Sequence, residues 1–375
     1  MIGFTHYLPT KLLFGEGQLR RLGRQALPGK RALVVTSPGQ VKRGEALAET
    51  LAQLEKAGVS ASVFDGVSPN PTAAQAAQAA EQCRAEGCGF LVGLGGGSSI
   101  DTAKAAGLLR ANGGQWRDYG DRKPFSQPGL PVVAIPTAAG SGAEVSPWAV
   151  ITDEESGLKA GLGRLDGAPV LAVVDPSLTR SMPLRQTAYQ GFDALFHAIE
   201  TVINKNSDPM SEMYALKAVE LLAQGLPAVL EEGSDLEARA QVSLGAVLAG
   251  MGMRSCSAHA LEHALSGRHP SLPHGAGLLA LALPYYQHFA DRHACDGAFA
   301  KLDTALNRGH FPKALSRLMD QCGMGEIRLS EYGVTPEELP ALAAEAKETA
   351  PYLFFNDPAP LTDEEAVAIL RAAYR

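Results

Sequence analysis

The chain has 375 residues, 46% of them hydrophobic and 19% charged, which is too long for one ordinary core and too apolar for disorder, so two domains are expected. A formal net charge of −7 with no basic cluster argues against a nucleic-acid or anionic-membrane surface. Cys83, Cys88, Cys256, Cys295 and Cys322 are odd in number and form no CxxC pair, the pattern of reduced thiols in a cytoplasm; MIGFTHYLPTK lacks a basic n-region leading into an apolar run, and no uninterrupted apolar run reaches the ~20 residues of a membrane span.

Residues 4–14 (FTHYLPTKLLF) read as a short extended segment closed by Gly15 and Gly17, followed by a helical stretch around Gln18–Gln25. RALVVTS is an apolar run of strand length ended by Pro38-Gly39; Glu45–Ala57 has a helical pattern and Ser60–Phe64 that of a strand. PNPT at 69–72 is a turn in which Asn70 is conformationally at ease. Ala73–Glu86 predicts a helix, and Phe90–Leu94 a short buried strand that runs straight into GGGSSIDTAKAAGLL. Strands alternating with helices imply a parallel sheet covered on both faces.

Gly95, Gly96 and Gly97 let the backbone approach a bulky anion, Ser98 and Ser99 can cap the helix that follows, and its free N–H groups favour a phosphate. The plain alternative is a glycine turn, and the spacing is not the usual GxGxxG followed by an acid ~20 residues on. A second segment agrees with phosphate binding. In PVVAIPTAAGSGAEVSPWAVITD (131–153) an apolar strand ends at Pro136-Thr137 and small residues follow up to Glu144, a floor for a flat ligand along which Thr137 and Ser141 can hydrogen-bond. Lys159 is a candidate for a phosphate, although a lone lysine on a strand is usually just solvated. LAVVDPSL gives a last strand, and RSMPLRQ marks the boundary between an α/β domain (1–182) and an all-helical one (183–375), leaving a cleft as the expected place for a ligand.

From Arg185 onward the apolar spacing is helical, to an amphipathic last helix after Thr362 and Glu365, a capping-box pair. Asp193 and His197 are four residues apart in apolar surroundings, as are His259 and His263, so each pair lies on one helix face. Singly, Asp193 is as well explained as a helix cap after Gly191 and His197 as a satisfied core histidine. Four of the chain's nine histidines, however, fall between His259 and His274. A buried Asp must be paired, capped or metal-bound, and helices presenting paired polar ligands inward are a common metal site. His274, in PHGAG, can supply a third element, whereas His269 reads as an exposed loop residue. Carboxylate plus imidazoles suits zinc or iron(II).

GGGSSIDTAK, IPTAAGSGAE, VVDPSL, GFDALFHAIE and HALEHALSG…PHG occur in the order seen in the iron-containing (group III) alcohol dehydrogenases, and the chain resembles that family over essentially its whole length. The resemblance implies a Rossmann-like dinucleotide-binding domain followed by a helical metal-binding domain. It implies Asp193, His197, His259 and His274 as metal ligands and His263 as a nearby catalytic, proton-relaying histidine. Gly96, Gly97, Ser98 and Asp101 would lie at the cofactor pyrophosphate, Thr137 and Ser141 along the nicotinamide, with Asn70 and Lys159 as further cofactor candidates. Many NAD-using members carry Asp two residues past the VV of the first strand; Ser37 stands there instead, which leaves room for a 2′-phosphate and points to NADP, with NAD as the other choice.

The implied reaction is metal-dependent hydride transfer between nicotinamide and a small alcohol or aldehyde, in a cytoplasmic homo-oligomer, a dimer formed by strand addition at the N-terminal segment. Other readings are a metal-free enzyme resembling maleylacetate reductases, a cyclase resembling the dehydroquinate synthase group, and a binding protein without turnover. Arg268 as the only lysine or arginine in 255–277 argues against the cyclase, and four filled ligand positions against the metal-free reductase. Phe125, Trp148, Phe192 and Phe196 are candidates for an apolar substrate pocket or for core.

Overall fold

The structure, a computed structural model, describes residues 3–120 and 123–374. The chain divides into two compact units, Tyr7–Ser181 and Met182–Arg375, the second joined by Met1–His6. The expected assignment of residues 1–182 to the α/β domain is corrected at the N-terminus. His6 stacks on Tyr214 of the helical unit, ring centroids 5.6 Å apart, so a through-space aromatic contact outweighs sequence order.

The α/β unit runs β1 (Lys11–Phe14), β2 (Arg31–Val35), α1 (Pro38–Arg43), α2 (Glu45–Lys56), β3 (Ser60–Phe64), α3 (Ala73–Ala85), β4 (Phe90–Gly95) and α4 (Gly97–Asn112). It closes with β5 (Val132–Pro136), β6 (Trp148–Thr152), β7 (Lys159–Gly163) and β8 (Leu171–Val174). Six strands form a parallel sheet in the order β1-β8-β5-β4-β2-β3. Alternate side chains serve opposite faces: Ala32 and Val34 pack with Leu19, Leu47 and Leu54, whereas Leu33 and Val35 pack with Ala76, Ala79 and Ala106. Both faces are therefore covered, which is why these strands read as continuous apolar runs. The strand order reverses between β2 and β4, the kind of switch point at whose carboxyl edge such sheets bind ligands.

Two local features add to the sequence reading. Pro38-Gly39 follows the end of β2 and opens α1, because Pro suits the first helical position and Ser37 Oγ accepts a hydrogen bond from the Gln40 amide at 3.3 Å. β6 and β7 form an antiparallel hairpin outside the parallel sheet.

The helical unit contains α5 (Leu184–Ile203), α6 (Pro209–Glu231), α7 (Leu236–Gly252), α8 (Ser257–Arg268), α9 (His274–Asp291), α10 (Asp296–Leu306), α11 (Lys313–Gln321), α12 (Leu339–Thr349), α13 (Pro351–Asn356) and α14 (Asp363–Ala373). By length and composition alone α6 could cross a membrane. It carries Glu212, Lys217 and Glu220 and packs against α5 and α7. α14 begins with the capping box of Thr362 and Glu365 that their spacing predicts. Phe192 and Phe196 are buried with their rings 5.9 Å apart, and Phe125 is buried against Tyr119. These three are core; Trp148 is exposed.

Candidate functional site

α5 begins well before Asp193, which excludes the capping role for that residue. Instead Asp193 and His197 lie one turn apart on the inner face of a helix buried along most of its length. α8 brings His259 to the same point, and α9 starts with His274. Asp193 Oδ1 lies 3.6 Å from His197 Nδ1, 3.6 Å from His259 Nε2 and 3.4 Å from His274 Nε2. The rings of His197 and His259 stack at 4.3 Å. The position of His274 depends on Gly275: a Cβ there would stand 2.2 Å from the Tyr189 carbonyl oxygen, so only glycine lets α9 start this close to α5.

Asp193 Oδ1, His197 Nδ1 and His259 Nε2 are buried and have no hydrogen-bond partner. Three convergent ligand atoms without partners inside a folded core are costly as they stand. A divalent cation satisfies all three, and the carboxylate–imidazole donor set suits one. The residues therefore fit the metal that the sequence resemblance implies.

Two carboxylates that the sequence reading passed over complete the cluster. Glu200 Oε1 lies 2.8 Å from His259 Nδ1, and its other oxygen accepts the Cys256 amide at the start of α8. Glu262 is hydrogen-bonded to His274 Nδ1. Both glutamates have no exposed surface. The sequence held a signal for each, since Glu200 continues the Asp193–His197 stripe by one further turn and Glu262 lies one turn beyond His259.

The charges follow from this packing. Burial pushes the Asp193 carboxyl up, but the charges of His197 and His274 and the close approach of the His259 and His274 rings hold it well below the usual carboxylate range. Burial is also the main reason His197 is pushed down to about 3; Asp193 opposes it, and His259 and His274 add to it. For His259 burial acts downward, yet the Glu200 charge, the nearby Asp193 carboxylate and the Glu200 hydrogen bond raise it to about 10. Without a cation the centre thus holds an ionised Asp193, a neutral His197 and a protonated His259.

His263 is half-buried beside these ligands, its ring centroid 5.5 Å from that of His274 and 6.5 Å from that of His259. His269 lies just past α8, as expected of a loop residue, but is half-buried and not exposed, with Nε2 3.0 Å from Glu338 Oε2.

In the α/β unit most of the expected cofactor residues gather at the carboxyl edge of the sheet. Thr36 Oγ1 donates to Leu94 O at 2.7 Å, tying the end of β2, where Ser37 follows, to the end of β4. The Thr137 amide donates to Gly95 O at 2.8 Å. A Cβ on Gly97 would meet Ser141 Oγ at 2.5 Å, so Ser141 lies against the start of α4. A Cβ on Gly96 would meet nothing nearer than Ala138 Cβ at 3.8 Å. The protein itself leaves room over Gly96, as a backbone approached by a phosphate requires.

Ser98 does not cap α4 as expected: its hydroxyl donates to Pro69 O at 2.5 Å and draws the Asn70 turn onto the helix start. Asp101 has partners within the unit. Its carboxylate faces inward, Oδ1 2.9 Å from Lys104 Nζ and Oδ2 accepting the Val150 amide at 3.0 Å, because residue 101 falls on the α4 face that packs on β6. Lys159 is buried on β7 and not solvated; it lies in register with Thr152, whose amide donates to Pro71 O at 2.9 Å, on the side of the Asn70 turn.

The family described as iron-containing alcohol dehydrogenase matches residues 9–176, and its C-terminal counterpart matches residues 187–374. The chain is 36% identical to a choline dehydrogenase of Bacillus subtilis over 357 residues, 91% of this chain and 88% of that one. An archaeal halo-thermophilic Red Sea brine pool alcohol dehydrogenase superposes with a TM-score of 0.92 at 28% identity, covering 100% of this chain and 99% of that one. A sulfoacetaldehyde reductase from Bifidobacterium kashiwanohense, in complex with NAD+, superposes with a TM-score of 0.87 at 29% identity, covering 99% and 98%.

Proposed function

The chain belongs to the iron-containing alcohol dehydrogenase family, and from that footing we propose that it interconverts a small alcohol and its aldehyde or ketone with a nicotinamide dinucleotide, using one divalent metal held by Asp193, His197, His259 and His274. The observation that carries this reading is the convergence of buried ligand atoms without partners on Asp193, His197 and His259. When bound, such an ion supplies Lewis acidity to the oxygen of the alcohol or carbonyl, and the nicotinamide supplies or receives the hydride. Iron(II) is the ion the family is named for, and zinc suits the same donors.

The chain's own residues do the rest. Asp193 contributes fixed negative charge to the cation, and the imidazoles contribute neutral lone pairs. His263, half-buried next to His274, takes the hydroxyl proton in oxidation and returns it in reduction. Gly96, Gly97, Ser98 and the Asn70 turn hold the pyrophosphate, Thr137 and Ser141 the nicotinamide side. Ser37, small and neutral at the end of β2, supports a preference for NADP over NAD, since an aspartate there would repel a 2′-phosphate. Five free cysteines support a cytoplasmic setting, and β1 at the sheet edge supports a homodimer built by strand addition.

A spectrophotometric assay with NADPH, NADH and aldehydes of increasing chain length, with and without a chelator, tests the reading. Chelator-sensitive reduction with the larger kcat/KM for NADPH is expected. Chelator-resistant turnover would favour a metal-free reductase, and a tenfold advantage for NADH would overturn the cofactor preference.

A further inference from the structure

The geometry points to Glu200 and Glu262 as positioning residues that set how tightly the centre holds its divalent cation, an inference that rests on the metal-dependent reading above. An imidazole has two nitrogens, and a cation takes the lone pair of one. His259 turns Nδ1 to Glu200 at 2.8 Å and Nε2 toward Asp193 Oδ1 at 3.6 Å. His274 repeats the arrangement, with Nδ1 on Glu262 and Nε2 3.4 Å from the same oxygen. A carboxylate only accepts hydrogen bonds, so each ring carries a proton on Nδ1 and, with a cation present, leaves Nε2 bare toward Asp193. The glutamates thereby choose the tautomer and aim the ring.

The pairing is crossed between helices. α5, which carries two of the ligands, supplies Glu200 for the ligand of α8; α8 supplies Glu262 for the ligand of α9. Glu200 also accepts the Cys256 amide, so one carboxylate fixes both the ring and the start of its helix. Together with Asp193 these groups place three buried carboxylates in one cluster. That concentration of negative charge is unfavourable in a protein interior unless a cation shares it. The two glutamates therefore favour the loaded form over the metal-free one.

That preference gives the test. Zinc is the probe, and full-length wild type, Glu262→Ala, Glu262→Gln and Glu200→Gln are compared by zinc release to a chromogenic chelator and by Tm with and without zinc. Glu262→Ala is expected to bind zinc about 10–100-fold more weakly. Glu262→Gln should lie nearer wild type, because its carboxamide oxygen accepts the same N–H. The metal-free Tm of the Glu262 variants should stay level or rise, and in every variant the gain in Tm on adding zinc should shrink. Zinc affinity within about twofold of wild type in Glu262→Ala would overturn the inference, as that is below the effect of losing such a partner. So would a lower metal-free Tm with an undiminished zinc-induced gain, the signature of a purely structural role. Should wild type bind no divalent metal, the proposed function falls as well; should wild type bind zinc and the variants bind it equally, only this inference falls.

Discussion

At the scale of single residues, the centre is a competition between protons and a cation for the same atoms. His259, raised to about 10 by Glu200 and Asp193 against the effect of burial, is protonated at neutral pH in the metal-free protein, so a cation must displace that proton. Metal uptake in weak buffer should therefore release about one proton per site, read with an indicator dye, and apparent affinity should fall up to about tenfold per pH unit as the solution is acidified. No proton release would contradict this account of His259. The histidines also divide by role. His197→Ala and His259→Ala are expected to lose metal and activity together. His263→Ala should keep full metal content, measured by elemental analysis, while kcat drops about 10²–10⁴-fold, the usual weight of a general acid–base. Loss of metal from the His263 variant would mean that the ligand assignment is wrong.

At the scale of elements, α4 shows how one helix serves two purposes. Its first turn, Gly97–Ser98, faces the Asn70 turn and the Ser141 loop, while its second turn carries Asp101 and Lys104 into the interior. Lys104 Nζ donates to Ala143 O at 3.1 Å, to Ser146 O at 3.3 Å and to Trp148 O, besides pairing with Asp101. One buried ammonium thus staples residues 143–148, the end of the small-residue loop, to the helix whose start is the proposed phosphate cradle. Lys104→Ala leaves a buried carboxylate and several carbonyls without their partner. It should cost about 3–5 kcal/mol of stability in the α/β unit, measured by denaturant unfolding, and weaken nucleotide binding through the loop. Strand and helix periods located α4 and β5 correctly from the residues in them. Nothing in those periods marked Lys104 as a staple or paired Asp101 with it, because side-chain direction at a helix's second turn depends on what packs against it.

At the scale of the whole molecule, each unit holds a buried acid that burial pushes up to about 7. Burial pushes Glu144 up to about 7 from 4.5, against its own backbone amide and Lys104, with Asp101 adding to the rise. Asp357 is likewise raised by burial, from 3.8 to about 7, despite hydrogen bonds from Ser257 and Tyr285. An acid with its folded-state pKa above its unfolded value contributes stability that is complete below the unfolded pKa and is lost as pH rises through the folded one. Each of the two groups should therefore subtract on the order of 3 kcal/mol between about pH 4 and 8. The difference in Tm between Glu144→Gln and wild type, followed against pH, reads this for Glu144. It should grow in favour of the variant as pH rises, and a difference independent of pH would remove Glu144 as a cause.

The sequence by itself determined the fold class and the family, and it picked out most of the residues of the candidate metal cluster. Apolar periods of two and of 3.6 residues, glycines at a strand–helix junction and histidines one turn apart are local patterns, and local patterns survive in a bare string of residues. Only the tertiary structure decided the rest. It returned His6 to the helical unit, and it faced Asp101 inward to Lys104. It buried Lys159, and it placed Glu200 and Glu262 behind His259 and His274. Each of these depends on a contact between side chains far apart in sequence or on which helix face meets a neighbour, and a one-dimensional period carries neither. The buried metal-ligand cluster needs both: α5 sets Asp193 and His197 on one face by its own pitch, but it takes the packing of three helices to bring His259 and His274 to within 3.6 Å of the same carboxylate oxygen.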